Sequence, residues 1–393
     1  NRLSERDRAL MAAVHARHAP GGAKDGVHGD LYADSMIALA QRWPDDDLVA
    51  ILAAEAIMTS QPWDYWEAGG KVPKARAGTA LALVDKILAR TPDQPQAIHL
   101  LIHLTEASAN PAKAAGPAAR LGGLAPGAPH MVHMPSHTWY RIGRFEDAIA
   151  ANKSAIAADE AYARAVGAEP EYYGYFNHHT HFLASAAVQI GDKATALAAA
   201  AGLEAAIDSA DVARSPWLEM RLVTALHTRA HFLSPAEILA LPRPDKRLRR
   251  LGIAWHGLRA EALAQSGNPD GAEGELKALR QARDGLETPR RGRRGGGALE
   301  FAAIADAVAR GRIATARGDV AGALRAYAAA EAIEANLPYA EPPLWPLPIS
   351  VLSGQLRAAQ GDRAGAAADF RRALAQRPGL RLASDGLTAA NGA

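Results

Sequence analysis

The chain has no cysteine among its 393 residues. That excludes disulfides, thiolate zinc sites, thiolate haem ligation and a cysteine nucleophile together. It also has almost no net charge, +2 from 44 basic and 42 acidic residues. No global field marks it as a nucleic-acid binder or a membrane-surface protein. Long apolar runs are missing too: the alanine-rich stretch around Ala196 to Ala201 is too short for a membrane span. Phosphate-cradling GxGxxG and Walker loops are absent, as are a GxSxG elbow and an interleaved basic and aromatic surface, so nucleotide, serine-hydrolase and nucleic-acid chemistry are not expected. The chain opens on Asn1 rather than Met and shows no signal peptide, which suggests a processed or truncated product. Whether it resides in a bacterial cytoplasm or periplasm is not readable from this.

What is there is helix. Hydrophobic residues make up 49% of the chain, ample for a sizeable core. Alanine, leucine, arginine and glutamate dominate, with no alternating β-branched run bounded by turns. The predicted class is all-α. The stretches IGRFEDAIAANKSAIA, IGDKATALAAA, SGNPDGAEGELKAL, ARGDVAGALRAYAAA and AQGDRAGAAADFRRALAQRP each read as a helix end, a glycine turn and a second helix with small residues toward its partner. Their turn glycines fall at 143, 191, 267, 318 and 361, unevenly spaced, so the repeats are degenerate. The pattern resembles the tetratricopeptide family of helix-turn-helix repeats, most clearly over 361–378. That resemblance implies an α-solenoid of paired antiparallel helices forming a superhelix. The reading divides the chain into repeats over 1–286, an arginine- and glycine-rich linker ETPRRGRRGGG at 287–297, and further repeats over 298–393.

The histidines follow the repeat. Pro95 and Pro129 open two units 34 residues apart, one tetratricopeptide length. Four residues after each stands His99 or His133; eight after, His103 or His137. The next frame begins at Asn177 and its four-residue offset is His181, while the one-residue offset gives His130 and His178. One frame earlier, starting at Asp47, the eight-residue offset is Glu55. Glu106 lies one turn beyond His103 on the same face. In the tetratricopeptide family these offsets line the concave surface, so all nine residues are expected to project into one groove.

Imidazoles at i and i+4 stack on one helix face and can share a cation at about 2.0–2.1 Å. HLLIH and HMPSH each supply such a pair. The expected metal ligands are His99, His103, His130, His133, His137, His178 and His181, with Glu55 or Glu106 as a further ligand or a catalytic general base. That set permits a mononuclear or a dinuclear site. Nitrogen and oxygen ligation suits zinc, copper, iron, manganese or nickel without choosing among them. The geometry requires His99 and His133 within about 12 Å of each other. Met131 and Met134 read as packing rather than copper ligands. Single histidines at 15, 18, 28 and 256 read as hydrogen-bonded residues, and the pair His227 and His231, also at i,i+4, has no in-phase partner helix. The insertion QPWDYW, 61–66, is either a lid over the site or a hydrophobic cap. The insertion EYYGYFNHHTH offers Tyr172, Tyr173 or Tyr175 as a phenol.

The order QPWDYW, HLLIHLTEAS, HMPSHTWYRIGRFEDAIAANKSAIAADEAY, YYGYFNHHTHFLASAA resembles a bacterial family of tetratricopeptide-repeat proteins across about residues 45–200. Its members carry further repeats upstream of a segment similar to LSERDRALMAAV, which implies that this chain lacks part of the groove. The resemblance implies a partner-binding fold and no reaction. Ordinary tetratricopeptide grooves carry Asn, Lys and Arg for peptide carboxylates, and here the offsets carry His and Glu. Three functions stay open at this point: a metalloenzyme, oxidative or hydrolytic, acting on a small molecule or peptide in the groove; a scaffold gripping a peptide or partner protein; and a periplasmic metal buffer or chaperone.

Overall fold

The computed structural model describes residues 3–18, 27–286 and 297–392. The segment 287–296, read above as most of a linker, lies outside the described residues, as do the side chains of His28, Tyr172 and Tyr173. The chain forms two compact units, 1–142 and 143–393. This boundary falls inside what the sequence reading takes as the first block of repeats.

The first unit contains α1 (Glu5–Arg17), α2 (Val27–Arg42), α3 (Asp47–Ser60), α4 (Ala77–Arg90), α5 (Pro95–Glu106), α6 (Ala115–Leu124), α7 (Pro129–His133) and α8 (Pro135–Ile142). The second contains α9 (Phe145–Val166), α10 (Phe176–Ile190), α11 (Lys193–Ala206), α12 (Ser209–Arg214), α13 (Glu219–His231), α14 (Pro235–Leu239), α15 (Arg249–Gln265), α16 (Pro269–Asp284), α17 (Ala298–Ala316), α18 (Val320–Glu334), α19 (Ser350–Ala359), α20 (Arg363–Gln376) and α21 (Arg381–Ala390). Among the described residues the only extended pairing is one isolated bridge, Trp66 with Pro73. The protein is all-α, and successive helices pack in pairs: α2 on α3, α3 on α4, α9 on α10, α10 on α11, α15 on α16, α17 on α18, α19 on α20. No described helix is long and apolar enough to cross a membrane.

Local chemistry sets the repeat boundaries. Gly143, Gly191, Gly267, Gly318 and Gly361 all take positive φ, between 69° and 82°, the left-handed region in which glycine ends a helix at little cost. In four of the five the next residue is Asp or Asn, and its carboxylate or amide oxygen accepts the backbone N–H three residues on: Asp192 from Thr195, Asn268 from Gly271, Asp319 from Gly322, Asp362 from Gly365. One dipeptide therefore closes one helix and caps the next. Gly143 breaks the rule because Arg144 makes no side-chain cap. There the constraint is steric as well: a Cβ would sit 2.4 Å from the Pro378 carbonyl oxygen.

Small residues let paired helices approach. On α17 a Cβ at Gly311 would lie 2.2 Å from Cε1 of Tyr327, a ring fully buried on α18. The helices before and after 287–296 pack on each other, α15 and α16 both against α17, within one unit.

Candidate metal centre

The repeat frames inferred from the sequence coincide with helix starts. Helix α3 begins at Asp47, α5 at Pro95 and α7 at Pro129, with α10 one residue early at Phe176. Both prolines sit in the first helical turn, where a missing N–H costs nothing. Gln94 reinforces α5 by accepting the Ala97 N–H at 2.7 Å. HMPSH is not one unbroken helix, because Pro135 has no N–H to give and a turn at Met134 divides α7 from α8. Met134 is fully buried.

Three imidazoles from two helices of the first unit converge: ligand-type atoms of His99, His103 and His130 all lie within 4.8 Å of one another. His99 and His103 stack one turn apart on α5 with ring centroids 4.9 Å apart, and His130 on α7 meets His99 at 5.1 Å. The Nε2 atoms of His99 and His130 are 3.3 Å apart. Two nitrogens each about 2.0–2.1 Å from one tetrahedral ion are separated by about 3.3–3.4 Å, so the observed spacing fits a shared cation. Burial, with His103 and His137 adding to it and Glu106 opposing, pushes the His99 imidazole down to about 3, which keeps it in the neutral form that binds metal. Its Nδ1 is buried with no hydrogen-bond partner among the described residues.

Behind the triad lies a hydrogen-bonded chain. Glu106 is 1% exposed. His103 Nδ1 donates to its Oε1 at 2.7 Å and His137 Nδ1 to its Oε2 at 2.8 Å. Burial works against the charged carboxylate, yet His137 and His103, by charge and by hydrogen bonding, hold its carboxyl well below the usual range. Because an ionised carboxylate only accepts, both Nδ1 atoms donate to it, and with the imidazoles neutral the directions of the remaining bonds follow. His133 Nε2 donates to His137 Nε2 at 2.8 Å, and Ser136 Oγ donates to His133 Nδ1 at 3.3 Å. His103, with Nδ1 given to Glu106, therefore presents the lone pair of Nε2, the carboxylate–histidine arrangement that fixes a ligand's tautomer and orientation. The main chain of Glu106 is held as well, its carbonyl accepting from Arg141 Nε at 2.6 Å. His130 and His133 rings lie 6.1 Å apart, so with His99 at 5.1 Å from His130 the His99 to His133 separation stays inside the required limit of about 12 Å.

The insertion QPWDYW borders this site. Trp66 Nε1 donates to the Leu104 carbonyl at 2.7 Å, Ala109 N–H donates to the Gly70 carbonyl at 2.8 Å, and the Trp63 ring meets His103 edge-on at 6.4 Å. Trp63 is 46% exposed and has φ 57°, a left-handed conformation unusual for a large side chain. Trp63 flanks the histidines and Trp66 caps the end of α5.

The remaining sequence candidates are not part of this triad. Glu55 is exposed on α3 between buried neighbours, and no ligand grouping of described residues includes it. An isolated carboxylate in an apolar helix avoids burial by turning to water. Glu106 has both oxygens bonded to imidazoles, so it orients histidines rather than facing a substrate. His178 and His181 belong to α10 in the second unit. His181 shares a 2.9 Å hydrogen bond through Nε2 with Thr224 and is pushed down to about 3 by burial and by Arg221, while His178 packs against Phe182. Two residues that the offsets passed over also carry structure: Ser136 at the end of the histidine chain, and His179, buried and bonded to Asp159 at 2.7 Å. The HMPSH string itself holds the signal for Ser136, but only the fold shows which histidine it meets.

No protein-family model matches the chain, and no curated protein matches it by sequence. Among solved structures, a chain from the crystal structure of the APC/C hetero-tetramer Cut9-Hcn1 is similar, with 12% identity and a TM-score of 0.37. The match covers 99% of this chain and 60% of that one, so this chain spans less than two thirds of its length. The all-α assignment rests on the helices described above.

Proposed function

We propose that the first unit binds one first-row transition-metal ion through His99, His103 and His130, with Glu106, His137 and His133 as the network that orients the ligands. One observation carries this reading: three imidazoles from two helices bring their ligand atoms within 4.8 Å, with a 3.3 Å Nε2 to Nε2 spacing suited to one ion. A scaffold that gripped a peptide through histidines would have no need of a buried carboxylate shared between two of them. All-nitrogen ligation directs the choice to zinc or copper ahead of calcium or magnesium. All three ligands retain some exposure, beside an exposed Trp63. A three-histidine ion with its remaining position open to solvent is the arrangement that polarises a substrate oxygen or activates water, so the site suits metal-assisted catalysis on a small molecule or peptide.

The test is elemental analysis of protein purified without a histidine tag, before and after incubation with zinc or copper. About one equivalent per chain is expected in the wild type. His99→Ala/His103→Ala should lose it while keeping its helical circular dichroism. A chain that takes up no metal under either condition returns the protein to the scaffold class.

A further inference from the structure

The second unit contains a cavity of about 490 Å³ that the metal reading leaves unused. Its size falls in the range of small-molecule sites. Helices α13, α15, α17 and α19 supply most of a wall of mixed polarity. Leu258, Val308 and Val351 form its apolar part, while Thr228, His231, Gln265 and Gln355 offer hydrogen-bonding groups. His231, Gln265 and Gln355 are exposed, so the cavity meets solvent along their side. Two charges also stand in the wall. Glu261 on α15 and Arg312 on α17 pair at 3.3 Å through Oε2 and Nε. Their side chains keep 17% and 24% of their surface, which they present to the cavity they line.

One long bond leaves much of this pair's bonding capacity unused. Among the described residues Glu261 meets only Arg312, by Oε2, and Arg312 has five N–H groups for Glu261 and the Tyr327 hydroxyl. Burial pushes the Glu261 carboxyl up, and Arg312 offsets that only in part. An anion drawn to Arg312 is repelled by Glu261, and a cation drawn to Glu261 is repelled by Arg312. A molecule with opposite charges side by side satisfies both through charge-assisted hydrogen bonds. An α-amino acid is built that way, its ammonium and carboxylate sharing one carbon. We infer that this cavity binds a free α-amino acid with an apolar side chain, its ammonium on Glu261, its carboxylate on Arg312 and its side chain against Leu258 and Val308. The inference is independent of the metal site, since every residue it uses lies in the second unit.

Calorimetric titration with L-leucine, 4-methylpentanoate, 3-methylbutylamine and glycine tests it. The second and third are leucine without its ammonium and without its carboxylate. Wild type should bind leucine about tenfold tighter than either, the size of one hydrogen bond to a charged group, and about tenfold tighter than glycine, which lacks the apolar side chain. Glu261→Gln should bind 4-methylpentanoate as tightly as leucine, and Arg312→Gln should do the same for 3-methylbutylamine. Leu352→Trp, which fills the cavity from α19 and leaves the charged pair in place, should abolish leucine binding. Circular dichroism melting of each variant separates loss of binding from loss of fold, and the wild-type ranking needs no variant at all. No binding of leucine by folded wild type, a single-charge analogue that matches it, or an unchanged ranking in folded Glu261→Gln and Arg312→Gln overturns the proposal; glycine bound as tightly as leucine overturns the apolar class.

Discussion

Two histidine pairs with the same i,i+4 spacing meet different surroundings. His99 and His103 on α5 face a third imidazole and, through His103, a buried carboxylate. His227 and His231 on α13 line a cavity of mixed polarity, where His227 meets Trp345 and Phe301. Burial pushes His99 down to about 3 and His227 to about 4, with His231 also lowered. Burial alone therefore does not distinguish a candidate metal ligand from a histidine packed among aromatic rings. The difference lies in what the opposite helix brings, nitrogen and carboxylate in one case and aromatic carbon in the other.

The sharpest way to break that contrast is to remove the carboxylate. Glu106→Leu deprives His103 and His137 of their shared acceptor in a site with almost no solvent. We expect a loss of about 3 kcal/mol in urea unfolding, from two buried imidazole N–H donors left without their acceptor at about 1–3 kcal/mol each. Metal affinity should fall about 10–100-fold, the usual effect of losing an orienting partner behind a histidine ligand. Glu106→Gln keeps the shape and one acceptor, so its affinity loss should be smaller. Equal losses in both would mean that charge rather than orientation sets the affinity. Unchanged affinity in both would separate the histidine chain from the metal altogether.

Next comes the pH dependence on the other side of the comparison. His227 sits at about 4 in the folded chain against an ordinary 6.5. Between those values the unfolded chain takes up a proton that the folded chain refuses, so stability falls as pH drops from about 6.5 to about 4 and this contribution then levels off. Its share is about 3 kcal/mol over the window. His99 and His181 contribute in the same direction, so the quantity to measure is a difference: urea unfolding of wild type and His227→Phe at pH 7, 5.5 and 4.5. The variant should lose less stability on acidification by up to that amount. Parallel curves for the two proteins would show that His227 is solvated or already protonated rather than held neutral among Trp345 and Phe301.

Much of the first unit was legible in the sequence because proline and periodicity write directly onto local structure. Pro95 and Pro129 begin α5 and α7, and the four- and eight-residue offsets put His99, His103, His133 and His137 where their spacing requires. The glycine turns were legible for the same reason, since each needs a positive φ. Glu55 is exposed on α3 and joins no ligand grouping of described residues, so its offset alone does not bring it to the histidines. The role of Glu106 was beyond sequence reasoning. A carboxylate one turn from His103 has an evident partner there, but its second bond goes to His137, 31 residues away on another helix. The cavity beside His227 was invisible, because it is assembled from α13, α15, α17, α19 and the connection holding Trp345.

The smallest effect is expected at the far end of the histidine chain. Ser136 Oγ donates to His133 Nδ1 at 3.3 Å, a long bond between two neutral groups, while His133 itself donates to His137 at 2.8 Å. Two more hydrogen bonds separate this contact from His103. If each link only fixes the tautomer of the next, Ser136→Ala leaves the His137 to Glu106 bond intact. It should then cost about 0.5–1.5 kcal/mol in unfolding and change metal affinity less than about threefold. A loss in metal affinity as large as that of Glu106→Leu would require a different account, in which protons move along the whole chain and the serine hydroxyl sets the tautomer of every imidazole up to His103. Nitrogen-15 shifts of the His133, His137 and His103 rings in the Ser136→Ala variant separate the two: one ring perturbed supports local orientation, and all three perturbed together support a connected relay.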